Sequence, residues 1–215
     1  MSQTPPKYIP KRPSPLSSPV LRGVAGPSNQ VNETNRHDNL VTYFVDDAGQ
    51  IHGAYTIHTQ RGRLLEKRSY KHGLLEGAAE TYYDNGKLMS LAMFSANRLH
   101  GDYKHWSPNG QLLFHERYAH GKKDGVQEGW YLSGQLWQRC SMVNGVYNGK
   151  SELYDSSGNI LEEYNYKDGA RHGACLKYLG DDRVCEMIYT SGALLRSSIK
   201  KPEDITFDFE VVAVL

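Results

Sequence analysis

The sequence predicts an all-β protein: an elongated, single-layer antiparallel β-meander of about six hairpin repeats behind a disordered N-terminal tail. Three observations predict it. Glycines recur every 24 residues, at Gly53, Gly77, Gly101, Gly125, Gly149 and Gly173. A second glycine divides five of these units, at Gly62, Gly86, Gly110, Gly134 and Gly158, and Asp182 stands in its place in the last. Between the glycines lie runs rich in Tyr, Trp, Leu and Thr, the composition of strands bounded by turns.

Residues 1–38 form the tail. The run PPKYIPKRPSPLSSPV is dense in proline and serine and has no hydrophobic period, so it is expected to stay solvated, with polyproline II stretches. Lys7, Lys11, Arg12 and Arg22 make residues 1–28 basic, with no acid among them. Pro10–Pro13 could serve a proline-reading domain, and Ser14 and Ser18 precede prolines as phosphorylation acceptors. The formal charge of the whole chain is +1, which gives no argument for a nucleic-acid partner.

The repeat domain is expected over residues 39–195. Asn39–Asp46 reads as the second strand of an incomplete leading repeat, with Gly49 in the turn that follows. Counting each unit from its opening glycine, the sixth place holds His58, Tyr82, Trp106, Trp130, Tyr154 and Tyr178. The twelfth is aliphatic throughout: Leu64, Leu88, Leu112, Leu136, Ile160 and Val184. The eighteenth is mostly aromatic, with Tyr70, Phe94, Tyr118, Met142 and Tyr166. Ser107-Pro108-Asn109-Gly110 has proline where a type I turn needs a pre-set φ and glycine where a left-handed residue follows, which predicts a three-residue hairpin loop closed by a glycine bulge.

That loop sets the sixth place opposite the twelfth. Plain alternation then puts the twelfth, fourteenth, sixteenth and eighteenth places on the same face. The expected structural ladder is Tyr82, Trp106, Trp130, Tyr154 and Tyr178 with Leu88, Leu112 and Leu136, and it groups Trp106, Leu112 and Tyr118. The opposite face carries the thirteenth place (Leu65, Met89, Leu113, Trp137, Leu161, Cys185) together with Tyr55, Tyr83, Tyr103 and Tyr131. Leu65, Met89, Leu113, Trp137, Tyr83 and Tyr131 are its candidate partner-binding residues, since a single layer leaves one face to be covered.

Residues 196–215 are expected to cap the sheet. Ile205, Phe207, Phe209 and Val211 alternate with Thr206, Asp208 and Glu210, a period-two strand that covers an edge or adds to a partner's sheet.

Chemistry-bearing residues do not gather in a catalytic pattern. His52, His100 and His172 precede the opening glycine, where other units have Glu76, Asp124 and Asn148. Equivalent positions in successive hairpins stand about 10 Å apart, too far to share an ion whose ligands sit about 2 Å from it. They read as turn residues, and neither a metal nor another cofactor is expected. Cys175 and Cys185 are offset across the last hairpin, because the loop register pairs the third place with the fifteenth. Cys140, Cys175 and Cys185 read as reduced thiols of a cytoplasmic protein, and no long apolar run occurs. No catalytic residue is assigned, and the chain is expected not to be an enzyme.

The pattern Trp106-Ser107-Pro108-Asn109-Gly110-Gln111-Leu112, with Tyr166-Lys167-Asp168-Gly169-Ala170-Arg171-His172-Gly173, resembles the MORN-repeat variant of YwqK-type antitoxin proteins, over residues 39 to about 195. The resemblance implies a non-catalytic scaffold that binds another protein, an antitoxin blocking a toxin being one version. A rival implication is tethering to a membrane surface or phospholipid, helped by the basic tail. Against it, the eleventh place runs Arg63, Lys87, Gln111, Gln135, Asn159, Arg183, which is not a continuous basic line. Neither nucleic acid nor a small-molecule substrate is implied.

Overall fold

A computed structural model describes residues 29–205. Regular structure there is all strand apart from one 3₁₀ turn at Pro202–Asp204. The chain divides into two compact units, with the boundary between Gly121 and Lys122.

In the first unit, β1 (Gln30–Thr34), β2 (Leu40–Val45), β3 (Ile51–His58), β4 (Leu64–Lys71), β5 (Leu74–Tyr82), β6 (Leu88–Ser95), β7 (Arg98–Trp106) and β8 (Leu112–Ala119) form an antiparallel meander. Each strand pairs with the next. The second unit holds β9 (Lys122–Lys123), β10 (Gly125–Trp130), β11 (Leu136–Val143), β12 (Val146–Tyr154), β13 (Ile160–Lys167), β14 (Ala170–Arg171), β15 (Gly173–Gly180), β16 (Arg183–Thr190) and β17 (Ala193–Lys200). From β10 onward it too is an antiparallel meander, in which β13 pairs with both β14 and β15.

The hairpin loops have the form that the sequence predicts. The Ser107 N–H donates to the Gln111 carbonyl and the Gly110 N–H to the Ser107 carbonyl, both at 2.8 Å. Gly110 has φ +95°, in the region that a Cβ penalises. The sixth place faces the twelfth throughout: His58 opposite Leu64, Tyr82 opposite Leu88, Trp106 opposite Leu112, Trp130 opposite Leu136, Tyr154 opposite Ile160, Tyr178 opposite Val184.

Beyond that pair the faces differ from the expectation. Across β7 and β8 the next pair is His105 with Phe114, so Leu113 is an extra residue, and the slip recurs in the neighbouring hairpins. Two residues opposite one is a β-bulge, and a one-residue slip exchanges the faces of everything beyond it. The fourteenth, sixteenth and eighteenth places therefore lie on the face opposite Trp106 and Leu112. Tyr118 pairs with Gly101, on that opposite face, and does not join the Trp106 ladder.

The core lies on this second face. In the first unit Val31, Val41, Tyr43 and Ile51 form one buried cluster, joined by Val45, Tyr55, Ile57 and Tyr70. Ala92, Tyr103 and Tyr118 form another, joined by Phe94 and Leu99. Burial of a side chain such as Val41 stabilises by roughly 1.5–3 kcal/mol. In the second unit Gln127, Cys140, Tyr164 and Cys175 are buried, with Gln127 directly opposite Cys140. Gly129 lies under the Trp137 indole, where an added Cβ would stand 2.5 Å from Nε1.

Successive hairpins are joined by two-residue turns with positive φ at both positions, as at His120 (50°) and Gly121 (84°) or Asn144 (52°) and Gly145 (88°). These are type I′ turns, whose twist matches the strands. Their two N–H groups are taken up by the hairpin before. The His120 N–H donates to His100 Nδ1 at 3.5 Å, and the Gly121 N–H to the Leu99 carbonyl at 2.8 Å. Glu76, Asp124 and His172 accept in the same way from Ala96, Asn144 and Ser191. Before five of the six opening glycines, at His52, Glu76, His100, Asp124 and His172, the residue is thus an acceptor for the next turn, which explains why His, Glu and Asp alternate there.

The ends depart from the regular unit. Residues 30–34, within the segment that the sequence assigns to the tail, form β1, and Val31 is buried. The last complete hairpin turns at Asp181–Asp182, both with positive φ. It lacks the extra residue and keeps the third place opposite the fifteenth, Cys175 against Met187. Residues 1–28 and the alternating run after Ile205 lie outside the described residues.

Candidate functional site

The face opposite the core presents the sixth- and twelfth-place pairs with the second, fourth, fifteenth and seventeenth places. In the first unit Tyr82, Leu88, Trp106 and Leu112 are all half-buried. Beside them Asp102 meets His115 (3.1 Å), Arg117 (3.4 Å) and Lys104 (3.9 Å). Burial works against the Asp102 carboxylate, but the hydrogen bond and charge of His115, with Lys104 and Arg117, carry its pKa below the usual range.

The second unit repeats this chemistry. Trp130, Leu136, Tyr154 and Ile160 are half-buried. Glu128 holds Arg139 at 2.9 Å, and Lys150 bridges Glu152 at 2.7 Å and Glu163 at 2.5 Å. Desolvation opposes the Lys150 ammonium, yet the two carboxylates outweigh it and raise its pKa. Burial, then a hydrogen bond to a carboxylate, pushes the phenols of Tyr82 and Tyr178 up to about 12. Their partners are Glu80 and Glu163. In each unit, taken by itself, this face sets aromatics among fixed charges of both signs.

The candidate partner-binding residues lie elsewhere. Tyr131 is buried and its hydroxyl donates to the Tyr154 carbonyl at 2.9 Å; Tyr83 donates likewise to Trp106 at 2.7 Å. Trp137 packs on Gly129, on the core side. Leu65, Met89 and Leu113 hold the same bulge position and are half-buried. The division expected between core ladder and open face is therefore exchanged, because the thirteenth-place bulge was not legible in the alternation. The turn glycines Gly62, Gly86, Gly110, Gly134 and Gly158 all have positive φ, as the loop requires.

One cluster goes beyond the sequence reading. His52, His72 and Asp46 approach one another where β2 ends and β3 begins. The spacing argument holds for His52, His100 and His172, which occupy equivalent places. His72 does not: it opens the next turn and comes within ring contact of His52, 4.8 Å between centroids. The signal was a second histidine twenty residues on, seen again in His100 and His120. The hydrogen bond from His72 holds the Asp46 carboxyl below its usual range. The three cysteines are free, and burial pushes the Cys175 thiol up. Among the described residues no helix is long and apolar enough to cross a membrane.

No curated protein matches the chain. Four consecutive segments, residues 75–96, 99–120, 123–144 and 147–168, match the family described as the MORN repeat variant. Each begins at the strand after a type I′ turn and ends at the next such turn, so the family's unit is the hairpin seen here, counted from a different start. Four consecutive hairpins of this chain are thus MORN-variant repeats.

Proposed function

We propose that this protein is a non-catalytic scaffold that binds another protein through the aromatic face of its hairpins. The carrying observation is a set of half-buried aromatics in each unit, Tyr82 and Trp106 in the first and Trp130 and Tyr154 in the second, with Tyr82 bonded to Glu80 and the others near the ion pairs of Asp102, Glu128 and Glu152. Aromatic anchors ringed by complementary charges suit a protein surface, where the aromatics supply affinity and the charges select the partner. A membrane-binding face would need a surplus of cations instead, and here Asp102, Glu128, Glu152 and Glu163 match them. The antitoxin version, in which the partner is a toxin, rests on the resemblance of the repeats, and a cytoplasmic location rests on the free thiols. The non-catalytic reading draws on the same face, where Asp102, Glu128, Glu152 and Glu163 are each paired with a cation.

The test is affinity purification of the full chain from its native source beside a Trp106→Asp/Trp130→Asp variant, with a check that the variant keeps its strand signal. A stoichiometric protein lost in the variant supports the reading, and a toxin identity supports its antitoxin version. Recovery equal in both removes this face from the proposal. Binding to anionic vesicles that disappears when residues 1–28 are deleted would favour tethering through the basic tail.

A further inference from the structure

The first residue of the type I′ turns at His72, Ala96, His120 and Asn144 lies against the side chain twenty residues earlier, and twice both are histidine. His52 and His72 have ring centroids 4.8 Å apart and inclined by 58°; His100 and His120 have 5.1 Å and 57°. These are two copies of one arrangement, but only the first has a carboxylate. Asp46 Oδ2 lies 2.8 Å from His72 Nδ1, while Asp46 Oδ1 accepts the Ala48 N–H at 3.1 Å and the Gln50 N–H at 2.9 Å. The place that Asp46 occupies, one residue beyond the partner of Ile51, belongs to Ser95 beside the second pair, one residue beyond the partner of Leu99.

We propose that Asp46, His52 and His72 form a binding site for a divalent transition metal such as zinc or cobalt. Each offers one donor atom, and these atoms lie within 4.8 Å of one another. Ligands on a tetrahedral ion at about 2.0–2.2 Å stand roughly 3.5 Å apart, so closure needs movements of about 1 Å. His72 can make them: its side chain is 61% exposed, whereas that of Asp46 is 17% exposed and held by the backbone donors. A carboxylate oriented in this way resembles a ligand fixed by its outer hydrogen bonds. The contact that His52 would give up, Nδ1 to the His72 N–H, is long at 3.4 Å. Two imidazoles and one carboxylate favour zinc, cobalt, nickel or copper over calcium or magnesium, and leave positions for water or a further ligand.

The site is tested with the full chain, free of any affinity tag, by cobalt titration followed in the visible spectrum and zinc titration by calorimetry. Asparagine suits these positions: Asn144 takes the turn place of His72, Asn148 stands at the place of His52, and at position 46 it keeps an acceptor oxygen. One equivalent should bind, and Asp46→Asn, His52→Asn and His72→Asn should each weaken binding at least about tenfold. His100→Asn should bind as the parent does. Zinc should also raise the parent's melting temperature, and do so less in the three variants. The proposal is overturned by a lack of saturable binding, by an Asp46→Asn variant that binds normally, or by an equal loss in His100→Asn.

Discussion

The two faces of each hairpin are built from the same strands yet carry different kinds of residue. Tyr43, Tyr103 and Tyr118 lie on the core face and are nearly inaccessible; Tyr82, Trp106 and Trp130, on the other, stay half-buried among ion pairs. Aromatic content alone does not say which face is the interior. The bulge at the thirteenth place decides, because it moves the fourteenth, sixteenth and eighteenth places across the sheet.

Substitutions on each side sharpen this contrast. Tyr103→Ala should lose the most, roughly 3–5 kcal/mol, as a large aromatic truncated in a packed core; chemical denaturation measures it, and a loss below about 1 kcal/mol would undo the assignment of faces. Gly110→Val should cost roughly 1–3 kcal/mol, because a β-branched residue is forced to positive φ; an unchanged melting temperature would contradict the loop. Trp106→Ala, on the open face, should cost only about 1–2 kcal/mol, near half the full-burial value.

Smaller effects test the polar members. Burial holds the pKa of His105 below its ordinary 6.5. Its contribution is therefore complete above that value and is lost as pH falls through and below it, since the unfolded chain takes up the proton first. The melting temperature should drop between pH 7.5 and 5.5, and His105→Leu should flatten that slope; an identical slope in the variant would exclude His105 as its source. Arg139→Ala should cost the least, under about 1 kcal/mol, because Arg139 and Glu128 form a partly exposed pair that solvent screens. A larger loss would mean that the open face contributes to folding as well as to recognition.

Much of the fold was legible because glycine and turn chemistry are local. The period, the three-residue loops and the pairing of Trp106 with Leu112 all follow from Ser107-Pro108-Asn109-Gly110 and its equivalents. The bulge was not, since Leu113, Met89 and Leu65 look like ordinary strand residues and only pairing shows that they have no opposite number. The same omission misplaced the candidate face. β1 was hidden because Gln30–Thr34 has a single buried aliphatic, Val31, too little for a periodic signal. His72 and Asp46 were invisible as partners of His52 because their approach depends on turns stacking across 20 and 26 residues.

The stacked turns also give the repeats a direction of assembly. In each case, from Ile51 and His52 to Arg171 and His172, the acceptor comes earlier in the chain than the turn whose N–H groups it receives. During synthesis every hairpin would leave the ribosome behind a finished template for its own turn, with contacts about twenty residues apart to close. Such a chain can fold as it is made, one hairpin at a time, and an array lengthened by duplicating 24 residues would inherit the same order of events.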